Sequence, residues 1–148
     1  MVALVALALL PLPTIQRDGI GWVHLYDSPA FVKAVLGEPA RIRRYRGPGP
    51  DLDDWVYPQR GMTVELLKDG GRPYVYSVAT TNPSYRTREG AHVGSRERVV
   101  RLSAPYCHDD PYNRSRYCSN VNEGGVGGTF WRIRRGRAVS VTVAAPVY

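Results

Sequence analysis

Lysine is almost missing from this chain. Lys33 and Lys68 are the only two, and the other eighteen basic residues are arginine. Cysteine is down to Cys107 and Cys118, phenylalanine and methionine to two residues each. Two cysteines cannot supply the paired C-x-x-C spacings of a structural zinc site. Cys107-His108-Asp109-Asp110 is the densest set of metal-ligand types, and it reads as a loop with solvated acids. We therefore expect no metal and no cofactor. No apolar run reaches the roughly 20 residues that span a bilayer as a helix. MVALVALALL ends at Pro11 and Pro13.

Catalytic patterns are also scarce. Ser28, Ser95 and Ser103 lie in no G-x-S-x-G elbow. Gly124-Gly125-Val126-Gly127-Gly128 precedes a strand pattern and has no following Lys-Ser or Lys-Thr, so it reads as a flexible loop rather than a phosphate cradle. The three histidines, His24, His92 and His108, are far apart in sequence, and an acid–base pair needs two of them in one cleft. Asn113-Arg114-Ser115 matches a glycosylation sequon, read as coincidence. No catalytic residue is assigned.

What is present is enough for a core. The chain has 148 residues, 43% of them hydrophobic, which fits one domain or two small fused units. Met1 to Gln16 carry no charged side chain and resemble the apolar region of a secretory signal, although no basic residue precedes the run and no A-x-A site follows. The expected location is secreted or periplasmic. An even cysteine count in an exported chain favours a disulfide between Cys107 and Cys118, with buried free thiols as the alternative. Closing a loop of about ten residues stabilises by roughly 3 kcal/mol.

The net charge of +7 is unevenly placed. Residues 1–84 hold nine basic and eight acidic side chains; residues 85–148 hold eleven and five. A compositional bias toward arginine explains this blandly. An acidic partner for the second half explains it functionally.

The segments repeat at a spacing of 67. Ser28, Val32 and Val35 align with Ser95, Val99 and Leu102, and Gly61, Val64 and Leu66 with Gly128, Trp131 and Ile133. After the turns at Asp69-Gly70-Gly71 and Gly136 the offset slips by two, and Tyr74, Tyr76 and Val78 match Val139, Val141 and Val143, which share one face, so Tyr74 and Tyr76 are expected in the core. Asp27-Ser28-Pro29 starts one short helix, and Ser95 with Glu97 starts a second, with Val99 and Leu102 facing inward. Strands are expected at 41–45, 55–57, 62–67, 73–80, 116–121, 129–134 and 138–144. The expected fold is α+β, with two tandem degenerate repeats, each a short helix packed on an antiparallel sheet. The chain divides into a signal-like segment (1–16), a first repeat (17–80), a linker (81–90) and a second repeat carrying the disulfide (91–148).

The traces Leu25-Tyr26-Asp27-Ser28, Trp55-Val56-Tyr57 and Gly61 to Val75, with Val93-Gly94-Ser95 and Gly128 to Val143, resemble the superfamily of beta-lactamase inhibitory protein and the small SmpA/OmlA (BamE-type) envelope lipoproteins. Cys107 and Cys118 resemble the inhibitor's within-repeat disulfide. The resemblance implies a fold and a binding habit, not a target. The lipoprotein cysteine is missing, and Ala40 and Asp51 stand where a first-repeat disulfide would be.

Binding therefore becomes the expected function. Phe130, Arg132 and Arg134 alternate away from Trp131 and Ile133, and Tyr112 and Tyr117 lie within the cysteine loop. Tyrosine and arginine are favoured interface residues. The expected molecule is an exported non-catalytic binding module, a protein inhibitor or envelope accessory protein, with a protein partner of acidic surface. Nucleic acid is disfavoured. A basic secreted hydrolase of nuclease type, or nonspecific adhesion to polyanions or membrane surfaces, are the alternatives.

Overall fold

The structure, a computed structural model, describes residues 14–122 and 127–146. The signal-like run over 1–13 and most of the glycine-rich loop lie outside the described residues. Strands dominate. A three-stranded sheet is formed by β1 (Ile15–Gln16), β2 (Gly19–Ile20) and β3 (Val23–His24). Eight strands form the main antiparallel sheet: β4 (Arg41–Tyr45), β5 (Asp51–Tyr57), β6 (Met62–Lys68), β7 (Tyr74–Thr80), β8 (Tyr106–Asp109), β9 (Arg116–Ser119), β10 (Gly128–Arg134) and β11 (Arg137–Ala144). Their spatial order is β4-β5-β6-β7-β11-β10-β9-β8. The two halves join where β7 meets β11, with Val78 opposite Val143 and Thr80 opposite Val141.

This overturns the expected pair of helix-on-sheet repeats. The fold is mostly β, one continuous eight-stranded sheet plus a small three-stranded one, with one helix of any length. That helix, α1 (Pro29–Leu36), begins as expected: Ser28 Oγ accepts from the Phe31 amide at 3.2 Å, Pro29 is at the first position, and Gly37 ends it at φ 82°. The second, α2 (Glu97–Val100), is a single turn. Ser95 does not cap it. Its hydroxyl accepts from the His92 amide, and its carbonyl accepts from the Ala138 amide at 2.9 Å. The Glu97 amide donates to Gly136 at 3.0 Å. The segment is thus stitched to the β10–β11 turn, and that anchoring, not helical periodicity, sets what faces inward. Val100 is fully buried, Val99 is half-buried and Leu102 is 71% exposed, reversing the expected inward role of Leu102.

Bulges produce a second correction. Across β6–β7 the register shifts between Glu65 and Leu66, and across β10–β11 between Arg132 and Ile133. Tyr76 and Val139 are the extra residues. A bulge breaks the two-residue alternation, so the buried series are Val75, Val78 and Thr80, and Ala138, Val141 and Val143. Tyr74 and Tyr76 are only half-buried, and Val139 leaves the core series.

The core lies on one face of the main sheet. Asp53, Trp55, Tyr57, Val64, Leu66, Val78, Trp131, Ile133 and Val141 point into it. Ile20, Val23, Val32 and Val100 cover them from the small sheet and the helices. Val64, Val78 and Val141 are wholly removed from solvent. Full burial of such side chains contributes roughly 1.5–3 kcal/mol each. The opposite face carries no helix or strand of the described residues.

Candidate functional site

The uncovered face of the second half is built by alternation along β8, β9, β10 and β11. Because Trp131 and Ile133 go inward, Phe130, Arg132 and Arg134 go outward. Cross-strand register then places Arg132 between Tyr117 and Ser140, Tyr117 beside His108, and Phe130 between Ser119 and Thr142. The His108 and Tyr117 rings stack with centroids 5.9 Å apart. Four of the five expected binding residues, Phe130, Arg132, Arg134 and Tyr117, therefore share one face. Tyr112 stands apart. It is 95% exposed on the turn before β9, held by its amide on Asp110 Oδ1 at 2.8 Å.

The residue that organises this face is Ser115, which the sequence reading touched only as part of a sequon. It is buried, and its hydroxyl accepts from Arg132 Nε at 2.9 Å and Arg134 Nε at 3.4 Å. The turn that delivers it is self-bonded. The Ser115 amide donates to Asn113 Oδ1, Asn113 Nδ2 donates to Asp110 Oδ2, and the Asp110 amide donates to the Ser115 carbonyl. The Asp-to-Asn-to-Ser spacing of side-chain turn formers was the available signal.

A groove of about 780 Å³ opens at the hairpin end of this face, lined by Asn113, Arg114, Arg134, Arg135, Arg137 and Val139. Arg114 and Arg135 both hold positive φ, 54° and 50°, an uncommon conformation for a side-chain-bearing residue. Arg134 and Arg137 are directly opposite across the strands. Among the described residues, none of Arg114, Arg132, Arg134, Arg135 and Arg137 forms an ion pair. The nearby acids are taken: Glu97 and Asp109 by Arg116, Asp110 by its own turn.

The first half of the open face carries both signs of charge. Asp54 lies between Arg43 on β4 and Glu65 on β6. Burial, and then the Asp54 charge, push the Glu65 carboxyl above its usual range, while Ser77 Oγ donates to it at 3.4 Å. On the core face, burial opposes charge on Asp53, but Lys68 at 2.6 Å and Arg46 at 3.1 Å outweigh it and hold the carboxyl below its usual range.

Cys107 and Cys118 face each other across β8 and β9 and form a disulfide. With Glu97 they are the one cluster of metal-ligand types among the described residues, and both sulfurs are consumed by the bond. The three histidines sit on separate elements. His24 is on β3 beside Asp27, His92 precedes α2 with Nδ1 2.7 Å from the Val93 carbonyl, and His108 is on β8. No hydrogen bond or ring contact joins any two of them among the described residues. No helix of the described residues is long and apolar enough to cross a membrane.

No protein-family model matches the chain, and no curated protein matches it. Among solved structures, it is similar to the uncharacterized protein yfeY from Escherichia coli, with a TM-score of 0.62 at 14% sequence identity, over 88% of this chain and 99% of that one. At that identity the likeness is one of fold: the two chains share a similar architecture along nearly their whole lengths.

Proposed function

We propose that the chain is an exported, non-catalytic binding module that holds a protein partner on the open face of its second half. One observation carries this reading. The uncovered face gathers Phe130, Tyr117, Arg132 and Arg134 on rigid paired strands, with the two guanidinium groups tied to one buried hydroxyl. Aromatic rings beside fixed arginines are the composition of interface anchors. Export is supported by the disulfide and by the apolar run at the N-terminus. The resemblance to the inhibitor and envelope-lipoprotein superfamily supports a binding role over a catalytic one.

The test is affinity capture. The oxidised protein is immobilised and exposed to native extracytoplasmic extract at low and high salt, beside an R132E/R134E copy. One saturable protein partner that survives salt and is lost from the charge-reversed copy is the expected result. Recovery of only salt-labile, heterogeneous material would mean nonspecific basic adhesion and overturn the proposal.

A further inference from the structure

We infer that the Arg132–Arg134 pair and the groove beside it form a carboxylate clamp for a short acidic segment of a protein partner. The inference rests on the open-face reading above and names what that face recognises. Two guanidinium groups share a single acceptor, Ser115 Oγ, so their like charges are held close together. Their Nη groups make no hydrogen bond with the described residues. Arg137 adds a third positive charge directly opposite Arg134. Like charges placed opposite one another across strands are destabilising. A planar guanidinium matches a carboxylate through two parallel N–H bonds. Spending Nε on Ser115 leaves the outer edge of each group, two Nη nitrogens, free for such a pair.

Charge distribution selects a short acidic segment over a long polyanion. Beyond the turn, Glu97, Asp109 and Asp110 line the adjoining pocket with Arg114, Arg135 and Arg116, the last paired to Glu97 and Asp109. In the other direction along the open face Asp54 and Glu65 stand opposite each other, with Arg43 opposite Asp54 on the far side. A polymer with a charge at every unit would run from the clamp onto surface of mixed charge either way. A loop with two or three acidic residues ends within it, and Tyr117 and Phe130 offer its flanking side chains apolar surface.

The experiment is a titration read at the arginine ¹⁵Nε–H resonances and, in variants that lack them, at the backbone amides of β9 and β10. The full oxidised protein is titrated with a capped Gly-Ser-Glu-Glu-Glu-Ser-Gly peptide, its Gln counterpart, inorganic phosphate and a single-stranded DNA octamer. The Glu peptide is expected to shift the Arg132 and Arg134 resonances saturably and the Gln peptide to leave them in place. R132K/R134K conserves charge but lacks the planar fork, and should weaken the peptide about tenfold or more. Ser115→Ala should weaken it without moving the net charge. Absence of saturable shifts, undiminished affinity in R132K/R134K, or tighter binding of phosphate or the octamer would each overturn the clamp. If the peptide fails while native protein still captures a partner that R132E/R134E loses, only the clamp falls. If neither captures anything, the open-face reading falls with it.

Discussion

Asp53 shows how a charged residue comes to sit on the core face. Its side chain is almost wholly buried, and it is tolerated because Lys68 and Arg46 reach it from half-exposed positions. Asp53→Asn keeps the shape and removes the charge. It should cost roughly 1–3 kcal/mol in urea unfolding at neutral pH, since one buried acceptor loses charge-assisted bonds. Its native carboxyl lies below the ordinary value of 3.8. The unfolded chain therefore binds that proton more readily, and the contribution is full above the ordinary value and lost as pH falls through the native one. The variant's deficit should shrink in step. Glu65 has the opposite sign. Its native carboxyl lies above the ordinary 4.5, so the native state holds the proton longer and stability declines as pH rises past that value. Glu65→Gln should raise the melting temperature at pH 7 and change it little near pH 4. At this scale the sequence was readable where alternation governs: Phe130, Arg132 and Arg134 fell on the predicted side. The turn at Ser115 had a local signal in its Asp-to-Asn-to-Ser spacing, but the grip of Ser115 on Arg132 and Arg134 did not, because it depends on that turn folding back against β10.

At the scale of elements, the helices were read too generously. Ser28 and Ser95 look alike as caps, but one backs a real helix and the other spends its hydrogen bonds on the His92 amide and the β11 strand. The consequence for α2 is direct. Val100→Ala should cost about 2 kcal/mol, as a buried methyl pair is lost, whereas Leu102→Ser should stay within about 0.5 kcal/mol. Equal costs in denaturant melts would mean that the segment packs as a longer helix with Leu102 inward. The strands were more legible, because β-branched and aromatic alternation marks them, but the bulges at Tyr76 and Val139 were hidden. An added residue leaves the composition unchanged and moves everything after it to the other face. β8 was also missed. Its four residues pair only with β9, and the disulfide pins the two together at Cys107 and Cys118. Reducing it should lower stability by about 3 kcal/mol, from the entropy regained by a short loop in the unfolded chain. Urea midpoints with and without reductant measure this.

The whole molecule depends on the β7–β11 ladder, a pairing between strands far apart in sequence. Local pattern announces each strand and says nothing of which will be neighbours, so two units were expected where one sheet forms. Val78 meets Val143 and Thr80 meets Val141 at this seam, with Ile20 and Val23 among the core residues packed with it. A fragment of residues 14–90 loses one side of the seam. It should show poor amide dispersion and no cooperative melt, whereas a sharp transition would mean that the first half is self-sufficient.

One edge of the sheet bears on how the protein behaves at high concentration. β4 has one strand neighbour, β5, and carries Arg41 and Arg43 on one face and Arg44 on the other, all exposed. A bare strand edge invites a second molecule to extend the ladder, and in many β proteins that ends in fibres. Here two such edges pairing with each other would gather six guanidinium groups along one seam, divided between its two faces. The same scarcity of lysine that opens the sequence thus leaves its mark as a stop signal: arginine closes the ladder at eight strands and discourages polymerisation through this border.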